Sequence, residues 1–386
     1  MMCTMISGVS FLVRTHNGAV RLASSLRALA RQAGAADIAW EVVLVDNAST
    51  DDTTRIAAAV WERAGNVAPL QLLREPRPGK NFALARAFEQ ARNCYACIVD
   101  DDNCLDPHYL AIGYALLAAN PQTGILGGQS SGSFPQAPPL WFPTFGHAYA
   151  VGEQLGYEHG QGKPLTDGSV GRNALWGAGM FVRTEIVVRL RQLSFTSLFT
   201  ERQGSTHLVA GEDYELCYAA QLLGYEIWYS SQLRLDHCMT AARLTTTYRD
   251  ELFYASAWVQ WRLQAYRNAL RSVWEQDFSR PVALAIDFAY AVQGTVRRVM
   301  SARFAKALLR RDGLYLMKTK RQLLIIYDFV RHYPTIRGSY QVVAGLKARI
   351  AAVPPRIVPC VMRQKLRFTR PAALNFALCA RLLLEQ

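Results

Sequence analysis

Short apolar runs alternate with amphipathic segments through the first half of the chain. The apolar runs end at polar residues and predict buried strands, whereas apolar residues that recur every three or four positions predict helices. The predicted strands cover 9–13, 41–45, 96–99 and 226–229, and the clearest helices cover 107–120 and 212–223. This alternating order predicts an α/β fold, in which helices cover both faces of a mostly parallel sheet.

Charge is distributed unevenly along the 386 residues. Residues 1–240 carry 18 Lys/Arg and 22 Asp/Glu, whereas residues 241–386 carry 25 Lys/Arg and 8 Asp/Glu. The net charges are therefore −4 and +17, in keeping with the formal +13 of the whole chain. We interpret 1–240 as the α/β domain and 241–386 as a basic, mainly helical C-terminal region.

The basic region places its Lys/Arg clusters among aromatic and aliphatic residues, at 297–298, 303–311, 318–321 and 363–370. Amphipathic basic helices of this kind suit the surface of an anionic membrane. Nucleic-acid binding is a rival interpretation, but no nucleic-acid-binding motif accompanies the basic residues, so no nucleic acid is expected. A solvated face on a helical subdomain is the third interpretation.

The sequence predicts neither a membrane-spanning segment nor a secretory signal. No window contains the roughly 18 uncharged apolar residues of a transmembrane helix, and the N-terminus lacks a basic stretch followed by an apolar core. We therefore expect a cytoplasmic protein, with peripheral association at the inner face of the cell membrane as the option that its basic region offers. The eight cysteines show no disulfide framework, and Cys94, Cys97 and Cys104 are interpreted as buried free thiols rather than zinc ligands.

Three successive carboxylates, Asp100, Asp101 and Asp102, follow one predicted strand directly. Ligands of open α/β folds bind beyond the carboxyl ends of such strands. Like charges in succession repel one another, which favours a cation, and a hard divalent metal that carries a diphosphate takes carboxylate ligands. The glycine patterns of dinucleotide-binding and P-loop proteins are absent, which disfavours both classes. The two preceding strands end at further polar residues, namely Thr15, Asn17, Asp46 and Asn47.

Five successive segments resemble the signatures of family 2 glycosyltransferases of the GT-A fold. They are 13–17, 45–53, 99–103, 176–180 and 211–216, and His237 fits the same pattern. The resemblance covers about residues 7–240. It implies a Rossmann-like GT-A fold and an inverting enzyme, which transfers a sugar from a UDP- or GDP-linked donor to an acceptor hydroxyl.

The resemblance also implies roles for single residues. Asp100 and Asp102 match the DxD motif that holds Mn²⁺ or Mg²⁺ against the donor's diphosphate, and His237 matches a third metal ligand. Asp213 matches the general base that takes the proton of the acceptor hydroxyl, and Glu212 is expected to orient it.

The donor and acceptor contacts implied by the resemblance come from several loops. Asp46 would recognise the base or ribose, and Trp176 would line the acceptor pocket. Lys80, Arg86 or Arg243 would assist at the phosphates. The full set of predicted nucleotide-sugar contacts is Thr15, Asn17, Asp46, Asn47, Lys80, Arg86, Asp100, Asp101, Trp176 and Arg243.

Two other functions stay open on the sequence. A nucleotidyltransferase also uses paired aspartates on a similar sheet, but it would leave Glu212 and Asp213 unexplained. An inactive relative would bind nucleotide sugar or membrane without turnover, against which the complete set of acidic residues argues. The acceptor is expected to be a glycan or a lipid-linked molecule in envelope polysaccharide or glycolipid assembly. The stretch 127–173, rich in glycine, proline and aromatic residues, is interpreted as a substrate loop or lid.

Overall fold

A computed structural model of the protein describes residues 5–156, 162–199, 211–271 and 281–353. The strands are β1 (Ile6–Thr15), β2 (Ala39–Asn47), β3 (Leu70–Glu75), β4 (Asn93–Asp100), β5 (Asn103–Leu105), β6 (Thr123–Ser133), β7 (Leu155–Gly156), β8 (Lys163–Pro164), β9 (Gly168–Ser169), β10 (Met180–Arg183) and β11 (Glu226–Cys238). The helices are α1 (Leu22–Ala30), α2 (Thr53–Arg63), α3 (Lys80–Gln90), α4 (Tyr109–Ala119), α5 (Phe142–Phe145), α6 (Thr184–Gln192), α7 (Glu212–Leu222), α8 (Thr246–Ala269), α9 (Pro281–Val299), α10 (Ala302–Leu309), α11 (Gly313–Arg331) and α12 (Tyr333–Ala352). Two 3₁₀ turns cover Gly146–Tyr149 and Ala241–Leu244.

One sheet organises the α/β half of the protein. Its strands lie in the order β3-β2-β1-β4-β10-β6-β11-β5, and β9 also pairs with β11. β3, β2, β1 and β4 run parallel to one another, and β6 runs parallel to β11. β10 is antiparallel to both of its neighbours, and β5 and β9 are antiparallel to β11. The predicted α/β class with a mostly parallel sheet is confirmed.

The central strands are buried on both faces because helices cover both sides of the sheet. In β1, Phe11 and Val13 belong to one hydrophobic cluster, whereas Leu12 belongs to the other. Successive side chains of a strand point to opposite faces, so a strand covered on both sides reads as a continuous apolar run. This explains why 9–13, 41–45 and 96–99 stand out in the sequence.

The sheet differs from the prediction in several places. β3, β6 and β10 were not among the predicted strands, and β6 extends to Ser133, so residues 127–133 of the stretch interpreted as a loop belong to the sheet. β5 begins immediately after Asp102 and pairs with β11, and Asn103 lies opposite His237. β11 continues to Cys238, so His237 lies inside the strand rather than after it. The physical reason is that β11 has strand partners on both sides, β6 and β5, which keep its polar second half extended.

The C-terminal helices pack directly on the α/β half. Trp261 of α8, Phe329 of α11 and Tyr340 of α12 belong to the same hydrophobic cluster as Ile98 of β4. The boundary at residue 240 stays a prediction. Within the described residues, no helix combines the length and the apolar character needed to cross a bilayer. Residues 354–386, with the basic cluster at 363–370, lie outside the described residues.

The cysteines depart from the expectation at one position. Cys97, Cys104, Cys217 and Cys238 are free thiols. The prediction of a buried free thiol is confirmed for Cys97, whereas Cys104 is free but only half-buried. Cys94 is disulfide-bonded, so the prediction of a free thiol is wrong at this position.

Candidate active site

A cavity of about 820 Å³ opens where the carboxyl ends of β1, β2 and β4 meet. It is closed on the other side by the start of α3, by the 3₁₀ turn at 146–149 and by the segment that follows β11. This is the edge of an α/β sheet at which ligands bind. The predicted residues that line the cavity are Thr15, Asn47, Lys80, Asp100, Asp101, Asp102, His237 and Arg243.

The first two carboxylates of the aspartate run are each paired with an arginine. Arg14 Nε donates to Asp100 Oδ1 over 2.7 Å. Arg21 donates to both oxygens of Asp101 over 3.2 and 2.8 Å, and Thr15 Oγ1 donates to Asp101 over 2.7 Å. Burial acts to raise the pKa of Asp100, but the charge and hydrogen bond of Arg14 outweigh it and the pKa falls to about 2. At Asp101 burial prevails over Arg21 and Thr15, and the pKa is raised.

The third carboxylate, Asp102, is buried and meets two cationic or titratable side chains. Arg243 Nη1 lies 2.8 Å from Asp102 Oδ2, and His237 Nε2 lies 3.4 Å from Asp102 Oδ1. Arg243 Nη1 and His237 Nε2 are 3.2 Å apart. The other ring nitrogen of His237, Nδ1, is buried and has no hydrogen-bond partner among the described residues. Asp102, His237 and Arg243 therefore form one contiguous polar group at the cavity wall.

The donor atoms of Asp100, Asp102 and His237 are those that Mn²⁺ or Mg²⁺ takes in proteins. Among the described residues, no group of three or more His, Cys, Asp or Glu side chains is arranged to hold a metal ion. The carboxylates of Asp100 and Asp102 form ion pairs with Arg14 and Arg243, respectively. Mg²⁺ commonly takes only one or two protein carboxylates and completes its shell with substrate phosphates and water. The donor types of these residues are therefore compatible with such a cation.

Two helices begin at the edge of the cavity, each after a glycine with positive φ. Gly79 has φ 135° and precedes Lys80, and Gly211 has φ 115° and precedes Glu212. Glycine adopts such angles without steric cost. Lys80 Nζ forms an ion pair with Glu212 Oε1, and Asn47 Oδ1 accepts a hydrogen bond from the Gly79 backbone N–H over 2.8 Å. Because Lys80 lines the cavity, this pair holds the start of α7 beside it.

Asp213 is the second residue of α7, where the helix dipole favours a negative charge. Its Oδ2 accepts a hydrogen bond from the Gly177 backbone N–H over 2.9 Å. Burial acts to lower the pKa of Arg14, but the carboxylates of Asp100, Asp213 and Asp102 raise it. The charge of Asp213 therefore acts on the same guanidinium that pairs with Asp100, although Asp213 itself does not line the cavity.

The loops that follow β1 and β2 are hydrogen-bonded to each other. Asn17 Oδ1 accepts from the Thr50 backbone N–H, and the Asn17 backbone N–H donates to Ser49 Oγ, both over 2.9 Å. Asp46 accepts from the Ser49 backbone N–H over 3.0 Å and from Thr54 Oγ1 over 3.3 Å. Asn17 and Asp46 do not line the cavity, and their contact with a nucleoside stays a prediction.

Arg86 and Trp176 also lie apart from the cavity lining. Arg86 Nη1 is 3.6 Å from Glu89 Oε2, one turn further along α3. Trp176 is buried, and its ring centroid lies 5.0 Å from that of His147. The predicted phosphate contact of Arg86 and the predicted acceptor contact of Trp176 stay predictions.

Sequence reasoning did not assign the arginines that pair with the first two aspartates. Arg14 lies in β1 directly opposite Asp100 of β4, so aligning the two parallel strands at their polar ends was a signal that would have found it. Arg21 has no such signal, because its partner Asp101 is 80 positions away and its own neighbours form no motif.

An aromatic cluster, here defined as Phe142, Phe145, Tyr149, Met239 and Leu244, borders the cavity. Tyr149 is its member that lines the cavity. Most of the cluster comes from the stretch 127–173 that was interpreted as a substrate loop, of which residues 157–161 lie outside the described residues.

Comparison with known proteins defines the class. A family model described as "Glycosyltransferase like family 2" matches residues 7–260, so the chain belongs to this family and has the GT-A fold. A comparison with curated proteins gave no match. Among solved structures, TarS 1-349 of S. aureus in complex with UDP is 15% identical, with a TM-score of 0.44 over 89% of this chain and 90% of that chain. Mannosyltransferase PcManGT from Pyrobaculum calidifontis, in complex with GDP-Man and Mn²⁺, is 18% identical, with a TM-score of 0.48 over 85% of this chain and 87% of that chain.

Proposed function

We propose that this glycosyltransferase moves a sugar from a UDP- or GDP-linked donor to an acceptor hydroxyl, with a divalent cation and with inversion at the anomeric carbon. The observation that carries the proposal is the cavity at the strand ends, where three carboxylates and their arginines lie on one wall. When a diphosphate and its cation bind, these internal ion pairs can be replaced. The carboxylates then contact the cation, and the arginines contact the phosphate oxygens.

Asp100, Asp102 and His237 would hold the cation, which supplies Lewis-acid stabilisation of the departing diphosphate. Arg14 and Arg243 line the same cavity and, once released from their carboxylates, would contact the phosphate oxygens. Guanidinium groups suit this task because their planar donors match phosphate geometry.

Asp213 is proposed as the general base. Its Oδ2 accepts from the Gly177 backbone N–H and its Oδ1 from the Tyr214 backbone N–H, and each oxygen keeps a further lone pair for the proton of the acceptor hydroxyl. Glu212 is proposed as a positioning residue, because its ion pair with Lys80 fixes the first turn of the helix that carries Asp213. A single carboxylate base that activates an acceptor for in-line attack supports inversion.

Thermal stabilisation by UDP, GDP and other nucleoside diphosphates, with and without Mn²⁺ or Mg²⁺, tests the donor site. A metal-dependent shift for one nucleotide is expected, and Asp102→Asn should abolish it. Asp236→Asn is the matched control, because Asp236 is exposed on the same strand as His237 and lies outside the cavity lining. If no nucleotide stabilises the protein, the donor site is wrong.

Asp213→Asn tests the base separately from the donor site. Sugar transfer should fall by about 10²–10⁴-fold, while the nucleotide-induced thermal shift should be retained. Transfer at the wild-type rate would contradict the assignment of Asp213. Product stereochemistry, followed by NMR of the anomeric proton, decides between inversion and retention.

The proposed acceptor is a glycan or a lipid-linked molecule of envelope polysaccharide or glycolipid assembly. The basic composition of residues 241–386 supports this, because it suits a protein that works at an anionic membrane surface.

A further inference from the structure

We propose that the corner formed by the end of α9 and by α10 is the surface that docks this protein on an anionic lipid bilayer. The corner is defined as residues 296–311. Its side chains combine exposed apolar groups with basic groups that form no salt bridge to an acidic side chain among the described residues.

The apolar part of the corner lies in solvent. Met300 is 80% exposed and Leu309 is 85% exposed, and about half of the surface of Val296 and of Leu308 is exposed. These four side chains come from the end of α9, the turn after it and the last turn of α10. Four exposed aliphatic side chains thus fall within the short segment 296–311, and exposed apolar groups rimmed by polar ones are typical of an interaction site.

The charged residues of this segment are all basic up to Asp312. Residues 288–311 contain no Asp or Glu, and they contain Arg297, Arg298, Arg303, Lys306, Arg310 and Arg311. In the part of the chain that the structure describes, no salt bridge joins any of the six to an acidic side chain. The nearest acids in sequence have structural roles: Asp312 caps α11 through the Tyr315 backbone N–H, and Asp287 accepts from Asn268.

The corner is held in shape by one side chain of α11. The guanidinium carbons of Arg298 and Arg303 lie 4.9 and 5.5 Å from the ring centroid of Tyr315. The Tyr315 hydroxyl lies 3.1 Å from Ser301 Oγ, and Ser301 caps α10 through the Phe304 backbone N–H. The Arg298 and Arg303 guanidinium groups therefore both contact the Tyr315 ring, with no carboxylate between them. An external anion would stabilise two like charges held this close.

Charge complementarity and the aliphatic centre together point to a bilayer. Anionic headgroups match the six basic side chains, and Met300, Leu308 and Leu309 can enter the interface between headgroups and acyl chains. A nucleic acid would pair with the basic side chains but would make no favourable contact with the exposed aliphatic ones. Proteins that bind nucleic acids contact phosphates and base edges with polar groups and base faces with aromatic rings.

The corner is linked to the cavity through α11. Leu314 and Met317 of α11, on either side of Tyr315, pack against the aromatic cluster, and Tyr149 of that cluster lines the cavity. Docking at the corner would bring the cavity close to the membrane surface, where a lipid-linked acceptor is presented. This last step rests on the proposed function, whereas the docking itself does not.

Sedimentation of the full chain with vesicles tests the proposal without any activity measurement. The chain should bind vesicles of phosphatidylcholine mixed with phosphatidylglycerol and should not bind phosphatidylcholine alone. Arg310→Glu/Arg311→Glu and Met300→Ser/Leu309→Ser should each lower the partition coefficient at least about tenfold. The unaltered residues 354–386 are common to every variant, so the differences report the corner alone.

The charge-matched control is Arg27→Glu/Arg63→Glu, which changes two exposed arginines on α1 and α2. It should bind within about twofold of wild type, since the surface potential falls off within a Debye length. Equal loss in this control, unchanged binding of both corner variants, or binding of duplex DNA in place of vesicles would each overturn the proposal. All six changed positions are exposed, and circular dichroism checks that the variants are folded.

Discussion

Glu215 offers a perturbation whose size can be worked out from its surroundings. Its side chain is buried between α7 and α8, with only 2% of its surface exposed. It accepts hydrogen bonds from the Leu198 backbone N–H over 2.8 Å, from the Tyr266 hydroxyl over 2.9 Å and from Ser197 Oγ. Burial raises the pKa of Glu215 from 4.5 to about 7, although these three hydrogen bonds act in the opposite direction.

The sign of the pH effect follows from that shift. Between pH 4.5 and pH 7 the carboxyl of Glu215 ionises in the unfolded chain but stays protonated in the folded protein. Folding therefore loses stability as the pH rises through this window, and the loss is complete above the folded-state pKa. A shift from 4.5 to about 7 corresponds to roughly 3 kcal/mol of free energy of unfolding.

Glu215→Gln removes the ionisation and keeps the hydrogen bonds. Its carbonyl oxygen can accept from Leu198 and Tyr266, and its amide can donate to the Ser197 hydroxyl. Relative to wild type, the variant should gain about 2–3 kcal/mol in free energy of unfolding between pH 5 and pH 8.

Urea unfolding followed by tryptophan fluorescence at the two pH values measures this difference. Glu251→Gln, at an exposed position of α8, is the matched control and should show no such gain. If the difference between Glu215→Gln and wild type is the same at pH 5 and pH 8, the carboxyl of Glu215 titrates as it does in water and the reasoning fails.

Two glycine positions give further predictions. Gly113→Ala should lower the free energy of unfolding by about 2 kcal/mol or more, because the new Cβ would lie 2.2 Å from the buried Phe181 ring. Gly338→Ala has nothing within 4 Å of its added Cβ and should instead raise the free energy of unfolding by about 0.5–1 kcal/mol. Denaturant unfolding of both variants measures the two changes. Gly177→Ala places a Cβ 3.2 Å from that of Asp213 and should lower kcat about tenfold. Its nucleotide affinity, measured by calorimetry, should stay at the wild-type value, and a change confined to affinity would contradict the role given to Asp213.

Much of the α/β half was predictable from the sequence because its strands are buried on both faces. The runs 9–13, 41–45 and 96–99 became β1, β2 and β4. Of the polar residues at their ends, Thr15, Asn47 and Asp100 to Asp102 line one cavity, as the parallel arrangement requires. The family motifs gave the class of enzyme, which the family match over 7–260 confirms.

The sequence did not predict β3, β5, β6, β10 or the full length of β11. Asn103–Leu105 is a three-residue strand without an apolar pattern, and it exists because β11 passes alongside it. The placement of His237 within β11 has the same origin. Short polar strands carry no periodic signal, so their pairing depends on a partner more than a hundred positions away in the chain.

Local order in the chain determined the class of fold, the edge of the sheet where ligands bind and the acidic residues at that edge. Only the tertiary structure decided that Asp101 pairs with Arg21 across 80 positions and that Glu215 accepts a hydrogen bond from Tyr266 across 51 positions. The physical reason is that strand and helix periodicities act between near neighbours, whereas ion pairs and buried hydrogen bonds depend on which distant segments the packed core brings together.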